Sequence, residues 1–315
     1  MTIRAFGKHF DLFFRRLNPS TSFEQQAVSE HQSIVRLIKN ASGPAASLSP
    51  KCFLQGSYKQ QTAIYTINDV DIVALCNLRP PLWREQRWKR DELFNTIAAP
   101  LLADPRYKDK VRYGNNSMCI KVDLGIKVEI LPVILGSWPS NAEDEPFFLY
   151  GPKSGCWEVG YARHHQQRLS EKNTQERTNG NFIAAIKVLK HLRSYYGLDT
   201  VSFHLECLLY SLPDDLFRGN PATSIATILH ALADISAERC YSRRGMRKSI
   251  MTPCGERRLF SQTEWSWESW KTFHNWIMYF ESLAQAACHA PDQARAIQTW
   301  QLLLGKDFFP SEVMA

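Results

Sequence analysis

Phe53-Leu-Gln-Gly-Ser-Tyr-Lys-Gln-Gln-Thr62, followed by Asn68-Asp-Val-Asp-Ile-Val-Ala-Leu75, sets the reading of this chain. The first stretch is an apolar run that breaks at Gly56-Ser57, a small pair suited to a turn. The second is β-branched and apolar from Val70 onward and reads as a strand. Side chains two apart on a strand leave from the same face, so Asp69 and Asp71 point the same way. After a helix-sized insertion comes Ile126-Lys-Val-Glu-Ile-Leu-Pro-Val133, a second strand that Pro132 is expected to stop. If this strand lies beside the first, Glu129 completes a set of three acids.

Taken singly, these features are ordinary. An isolated Asp-x-Asp is usually solvated surface, and Gly-Ser is usually a plain turn. Together they suit a nucleoside triphosphate held on divalent metal. Mg²⁺ is a hard cation that takes carboxylate and phosphate oxygens. Three acids without counter-charge repel one another, so such a site should be poorly formed until metal arrives.

Gln55-Gly-Ser-Tyr-Lys-Gln-Gln-Thr-Ala-Ile64 with Asp69-Val-Asp-Ile-Val73 resembles the active-site signature of the bacterial CD-NTases, relatives of cyclic GMP–AMP synthase and oligoadenylate synthase. The resemblance extends through Val128-Glu-Ile-Leu-Pro132, Ile186-Lys-Val-Leu-Lys-His-Leu-Arg193 and Ser202-Phe-His-Leu-Glu206, covering roughly Phe6 to Ala290. It implies an α+β fold: a polymerase β-like nucleotidyltransferase lobe with a mixed sheet, a C-terminal helical lobe, and a cleft between them. Asp69, Asp71 and Glu129 are then the catalytic and metal-binding residues for two Mg²⁺ ions, with Mn²⁺ as the alternative. Gln55, Gly56 and Ser57 bind the donor nucleotide, and Lys190 is the triphosphate lysine, with Lys187 one turn earlier as fallback. Ser202 opens a helix whose free N–H groups suit phosphate, although an ordinary N-cap explains it equally. Phe203 suits either a base or the core, and Glu206 is expected to brace the lobe. Two departures stand out: Glu129 where the family more often has Asp, and a loose fit at Met251-Thr-Pro-Cys-Gly255. Asp123 is a rival third acid, but Asp123-Leu-Gly125 reads as a hairpin turn.

The rest of the chain fits this plan. Its 315 residues are 44% hydrophobic, enough for one or two domains. Lys and Arg number 38 against 31 Asp and Glu, a net charge of +7 that favours polyanionic partners. No apolar run is long enough to span a bilayer, and no signal peptide is evident, so a cytoplasmic enzyme is expected. The eight cysteines are scattered without a Cys-x-x-Cys pair, which argues against zinc. The expected domains are residues 1–160, the core lobe with the N-terminal helices, and residues 161–315, the helical lobe.

Phe6, Phe10, Phe13, Phe14 and Leu17 have helical spacing. Ser22 to Ala41 reads as a helix capped within Ser20–Ser22, with Val28, Ile34, Val35 and Ile38 inward. Leu82 to Leu101 is a further helix with Trp83, Trp88, Leu93, Phe94 and Ile97 on its packed side. Gly136 to Gly160 reads as a long connection, after which helices are expected at Thr178–Tyr196, Ser202–Ser211, Pro221–Ala237, Trp265–Cys288 and Asp292–Leu304. His164-His165 lacks a partner at metal-ligand spacing, and Trp265-Ser-Trp-Glu-Ser-Trp270 reads as packing. Arg239 to Arg258 carries seven Arg and Lys and is either solvated surface or a rim for nucleotide or nucleic acid.

The expected activity is synthesis of a cyclic di- or trinucleotide second messenger in bacterial antiphage signalling. A linear oligonucleotide or RNA-tailing nucleotidyltransferase is the first alternative. A non-catalytic nucleotide-binding or RNA-sensing module is the second. Nucleoside triphosphates are the expected partners, with a regulatory protein or nucleic acid as a further candidate.

Overall fold

The computed structural model describes residues 6–78, 89–114, 117–135, 146–152, 154–235, 249–261 and 264–311. Within these the chain forms two compact units. One comprises Pro19–Gln61 and Ile67–Gln166; the other comprises Met1–Asn18, Thr62–Thr66 and Gln167–Ala315. The division differs from the expected boundary after residue 160: the later change of unit falls after Gln166, and the N-terminal segment and Thr62–Thr66 go with the helical unit. Helix α1 (Gly7–Leu17) belongs to the C-terminal helical unit, because its buried Phe10, Phe13 and Leu17 join that unit's core.

The first unit is a mixed sheet backed by helices. It opens with α2 (Thr21–Lys39) and the short α3 (Pro44–Ser47). Next come β1 (Lys51–Gln55), the single turn α4 (Gly56–Lys59), and β2 (Asp69–Cys76). Helix α5 (Arg90–Ala103) leads to β3 (Val111–Arg112), β4 (Ile120–Asp123) and β5 (Lys127–Leu135). The strand order is β1-β2-β5-β4-β3, and β2 and β5 run parallel. A parallel pair needs a crossover connection, and α5 lies within it in the chain.

Burial along the strands explains the layering. In β2, Val70, Ile72, Ala74 and Cys76 face a core shared with Phe23, Ala27, Ile34 and Ile38 of α2 and Leu93, Phe94, Ile97 and Leu101 of α5. Asp69 and Asp71 alternate with these, so the opposite face is polar at the start of the strand. Further along, Val73, Leu75, Val133 and Phe147 form a smaller apolar cluster, and the strands become buried on both faces.

Several expectations need correction. In α2 Ala27 is buried in place of Val28, which is 40% exposed, whereas Ser20 is the cap from the expected set, accepting from the Phe23 N–H at 3.2 Å. The α5 helix begins at Arg90, and Trp83 and Trp88 lie outside the described residues. Strand β5 does not stop at Pro132. Pro132 pairs with Ala74 on the β2 side; on the other side it falls between the end of β4 pairing at Ile130 and the next pairing at Ile134. A residue without an N–H is tolerated in such a gap. The stretch expected to be a long connection contains β6 (Phe147–Gly151) and β7 (Cys156–Gly160), an antiparallel hairpin that extends the sheet from the end of β5.

The helical unit holds α1 and most of α6 (Ala162–Lys172), then α7 (Gln175–Thr178), α8 (Phe182–Tyr195) and α9 (Ser202–Tyr210). After a 3₁₀ turn at Asp214–Phe217 come α10 (Pro221–Ala233), α11 (Trp267–Cys288) and α12 (Gln293–Leu304). Its core is aromatic: Trp265 and Trp270 meet edge to face at 5.0 Å between ring centroids, and Phe260 packs on Trp270 at 4.8 Å. The tryptophan cluster is therefore packing, as its spacing suggested. Lys172 is buried and donates to the carbonyls of Tyr210 and Leu212, with Asp214 at 3.1 Å. Of the basic stretch, residues 239–248 lie outside the described residues. Among the described residues no helix is long and apolar enough to cross a membrane.

His191 in α8 is fully buried; its Nε2 lies 2.9 Å from the Leu304 carbonyl and its Nδ1 3.3 Å from the Tyr65 hydroxyl. A neutral ring can donate from Nε2 to the Leu304 carbonyl while Nδ1 accepts from the Tyr65 hydroxyl, and burial pushes its pKa down to about 4. Below about pH 6.5 the unfolded chain takes a proton that the folded ring refuses, so stability falls as pH drops through this window. The expected loss is about 3 kcal/mol by pH 4. Urea unfolding across that range should show it, and His191→Phe should flatten that part of the pH slope.

Candidate active site

The site is assembled at one end of the β1-β2-β5 ladder. At the end of β1, Gln55 pairs with Asp71. The chain then turns through Gly56, whose φ of +71° lies in the left-handed region that suits glycine. A second constraint acts at the same residue. A Cβ on Gly56 would lie 1.8 Å from Asp71 Oδ2, so the backbone passes directly against the carboxylate. Ser57 follows on the first turn of α4, partly exposed. Gln55 Oε1 is buried without a hydrogen-bond partner among the described residues.

The three acids come together through register. Asp71 lies opposite Glu129 in the parallel β2–β5 pair, and Asp69 lies two residues earlier on the same face. Neighbouring strands lie about 4.8 Å apart, so Asp71 and Glu129 are lateral neighbours. Burial pushes the Asp71 carboxyl up to about 7, and the charges of Asp69 and Glu129 add to the rise. Each acid makes ionisation of the next harder. Asp123 ends β4 opposite Lys127, and its Oδ1 accepts from the Gly125 N–H at 3.4 Å, as expected for a hairpin.

This donor set fits a hard divalent cation. It offers carboxylate oxygens from adjacent strands and a backbone turn held against one of them. Yet among the described residues no three His, Cys, Asp or Glu side chains are already gathered around a cation position. Glu129 has partners of its own on the β4 side. Its Oε1 lies 3.0 Å from Lys121 Nζ, and its Oε2 accepts from the Cys119 thiol at 3.3 Å. Sequence reasoning missed both residues. Lys121 alternates with buried Ile120 and Val122 on β4, which says which face it takes but not which residue it meets.

The candidates in the helical unit have partners within that unit. Lys190 is only 3% exposed, and its ammonium donates to Glu206 Oε1 at 2.7 Å and Thr62 Oγ1 at 2.8 Å. It is a buried, paired cation and not a free one. Glu206 does brace the unit, through this pair and through the Thr62 hydroxyl at 3.2 Å. Lys187 is half-buried and donates to Asn18 Oδ1 at 2.7 Å. Ser202 is the first residue of α9, not its cap: Val201 holds the cap position, and Ser202 Oγ accepts from Arg193 Nη1 at 2.8 Å. Phe203 packs partly buried against the core.

Comparison with known proteins gives the following. The profile of the Second Messenger Oligonucleotide or Dinucleotide Synthetase domain matches residues 2–173. The profile of the cGAS/DncV-like nucleotidyltransferase C-terminal helical domain matches residues 167–280. A cyclic UMP-AMP synthase from Rhodothermus marinus is 28% identical over 237 residues, which is 68% of this chain and 81% of that protein. The structure of Rhodothermus marinus CdnE c-UMP-AMP synthase with Apcpp and Upnpp matches with a TM-score of 0.66 at 23% identity, covering 86% of this chain and 95% of that one. The E. coli CdnC:HORMA-deltaN complex matches with a TM-score of 0.72 at 15% identity, covering 96% and 98%. At these identities the structural matches establish the fold.

Gly56→Ala should destabilise the protein by about 2–4 kcal/mol, from the left-handed φ and the contact with Asp71 together. Denaturant unfolding measures it. Adding Asp71→Ala should recover the steric part and leave the backbone part, about 1–2 kcal/mol.

Proposed function

Because the chain belongs to the Second Messenger Oligonucleotide or Dinucleotide Synthetase family and is a nucleotidyltransferase that makes cyclic oligonucleotides, we propose that Asp69, Asp71 and Glu129 are its metal-holding acids and that its product is a cyclic di- or trinucleotide. The observation that carries this reading is the register that sets Glu129 opposite Asp71, with Asp69 on the same face. We assign two Mg²⁺ ions to these acids, with Mn²⁺ as a substitute. When bound, such a pair lowers the barrier to in-line displacement at phosphorus by stabilising the charge on the attacking and leaving oxygens.

The protein's own groups position the reactants. Gly56, whose lack of a side chain lets the backbone pass against Asp71, offers its N–H to the donor's β- and γ-phosphates, and Ser57 adds its hydroxyl. The unpartnered Gln55 Oε1 is assigned to the nucleotide as an acceptor. In the helical unit, Ser202 and Phe203 are assigned to the phosphate chain and a base face. Lys190 contributes as a cation shared with Glu206. A ribose hydroxyl of the acceptor attacks the donor α-phosphorus, pyrophosphate leaves, and a second transfer closes the ring. Holding the reactants in line supplies much of the acceleration in such chemistry.

We further assign the messenger to antiphage signalling in the cytoplasm. The match to CdnC, solved in complex with HORMA-deltaN, supports a protein as regulatory partner.

The test is incubation with all four nucleoside triphosphates and Mg²⁺ or Mn²⁺, followed by mass spectrometry of phosphatase-resistant products. Cyclic species are expected. Asp69→Asn and Asp71→Asn should each lower pyrophosphate release by at least about 10³-fold, the equivalent of several kcal/mol of lost charge stabilisation. Phosphatase-sensitive products alone would indicate a linear-product enzyme. Full activity in either variant would overturn the assignment.

A further inference from the structure

Glu129 is engaged from the β4 side of its strand. Strand β5 lies between β2, which carries Asp69 and Asp71, and β4, which carries Lys121. The antiparallel β4–β5 register sets Lys121 opposite Glu129, while the parallel β2–β5 register sets Asp71 opposite the same residue. Both oxygens of Glu129 are engaged on the β4 side, Oε1 by Lys121 at 3.0 Å and Oε2 by Cys119, just before β4, at 3.3 Å. To share a cation with Asp71, the carboxylate must give up these partners. The longer arm of Glu has an extra rotatable bond for this.

The strength of the pair suits an exchangeable contact. Lys121's side chain is 54% exposed and that of Glu129 25% exposed. An ion pair this accessible contributes about 0–1 kcal/mol. That is enough to set the resting direction of the side chain and too little to resist a divalent cation.

We propose that Lys121, with Cys119, is a positioning latch on the third metal ligand: the two occupy both carboxylate oxygens of Glu129 and are displaced when a divalent cation binds. The proposal rests on the reading of Glu129 as a metal ligand. It gives Lys121 a role in metal affinity rather than in touching substrate. The gathering of the acids then depends on cation supply, because the cation must outcompete the ammonium.

The test measures Mn²⁺ binding to the full-length protein without nucleotide, by electron paramagnetic resonance of free Mn²⁺ at constant pH and ionic strength. Four proteins are compared: wild type, Lys121→Met, Glu129→Gln and the double variant, each checked by thermal melting. Lys121→Met should tighten Mn²⁺ binding about three- to tenfold, from the lost pair and the removed positive charge. Glu129→Gln should weaken it, and Lys121→Met should then have little further effect in that background, since the cycle isolates the pairwise contribution. Lys121→Arg, which keeps an ion pair, should stay near wild type. If Lys121→Met fails to tighten binding, or tightens it equally in both backgrounds, the latch is wrong although the metal site can stand. If Glu129→Gln leaves affinity unchanged, or wild type and Lys121→Met both fail to bind Mn²⁺, the metal-ligand reading falls and the latch with it.

Discussion

The parallel pairing of β2 with β5 places Asp71 beside Glu129, and with Asp69 it concentrates three carboxylates on one patch of sheet. This arrangement opposes folding. Like charges at strand spacing repel, and burial, joined by the charges of Asp69 and Glu129, raises the Asp71 pKa to about 7. The reverse face of the same strands supplies the compensation. Val70, Ile72, Val128 and Ile130 are fully buried against α2 and α5, and slipping the register by one residue would expose all of them. The hydrophobic face thus holds the acids in a place their own electrostatics disfavours.

Counter-charges within the fold moderate that cost. Lys121 and Cys119 take up Glu129 from the next strand. In the helical unit the same logic appears at Lys190, which would be costly to bury alone and is instead paired with Glu206 and Thr62. Lys172 repeats it with Asp214 and two carbonyls. These two buried lysines tie helices of that unit to their neighbours. The basic surplus of +7 is consistent with anionic substrates but does not locate their site.

Much of the first unit was readable along the chain because its signals are local. The period of two on β2 places Asp69 and Asp71 on one face whatever the rest of the protein does. The Gly-Ser break after β1 and the hairpin at Asp123-Leu-Gly125 are likewise set by neighbouring residues. The five helices expected in the C-terminal half are present, with ends within a few residues of the expected ones except at the start of α8 and the end of α10, where the helix is shorter, whereas α6 and α7 were not expected. The β6–β7 hairpin was missed because the prolines and glycines between Gly136 and Gly160 read as a connection.

What local spacing could not convey is which residues meet across the sheet and between helices. The order β2-β5-β4 gives Glu129 two neighbours of opposite sign, Asp71 on one side and Lys121 on the other, and register is a property of paired strands rather than of either strand. Lys190 carried no mark of its partner, since Glu206 sits on another helix and Thr62 is far away in the chain. Helix α1 likewise gave no sign that its phenylalanines belong with helices far along the chain. Residue type and periodicity specify faces and elements; the pairing of charges is settled by long-range packing, because apolar burial selects the register and the polar side chains must take whichever neighbours that register provides.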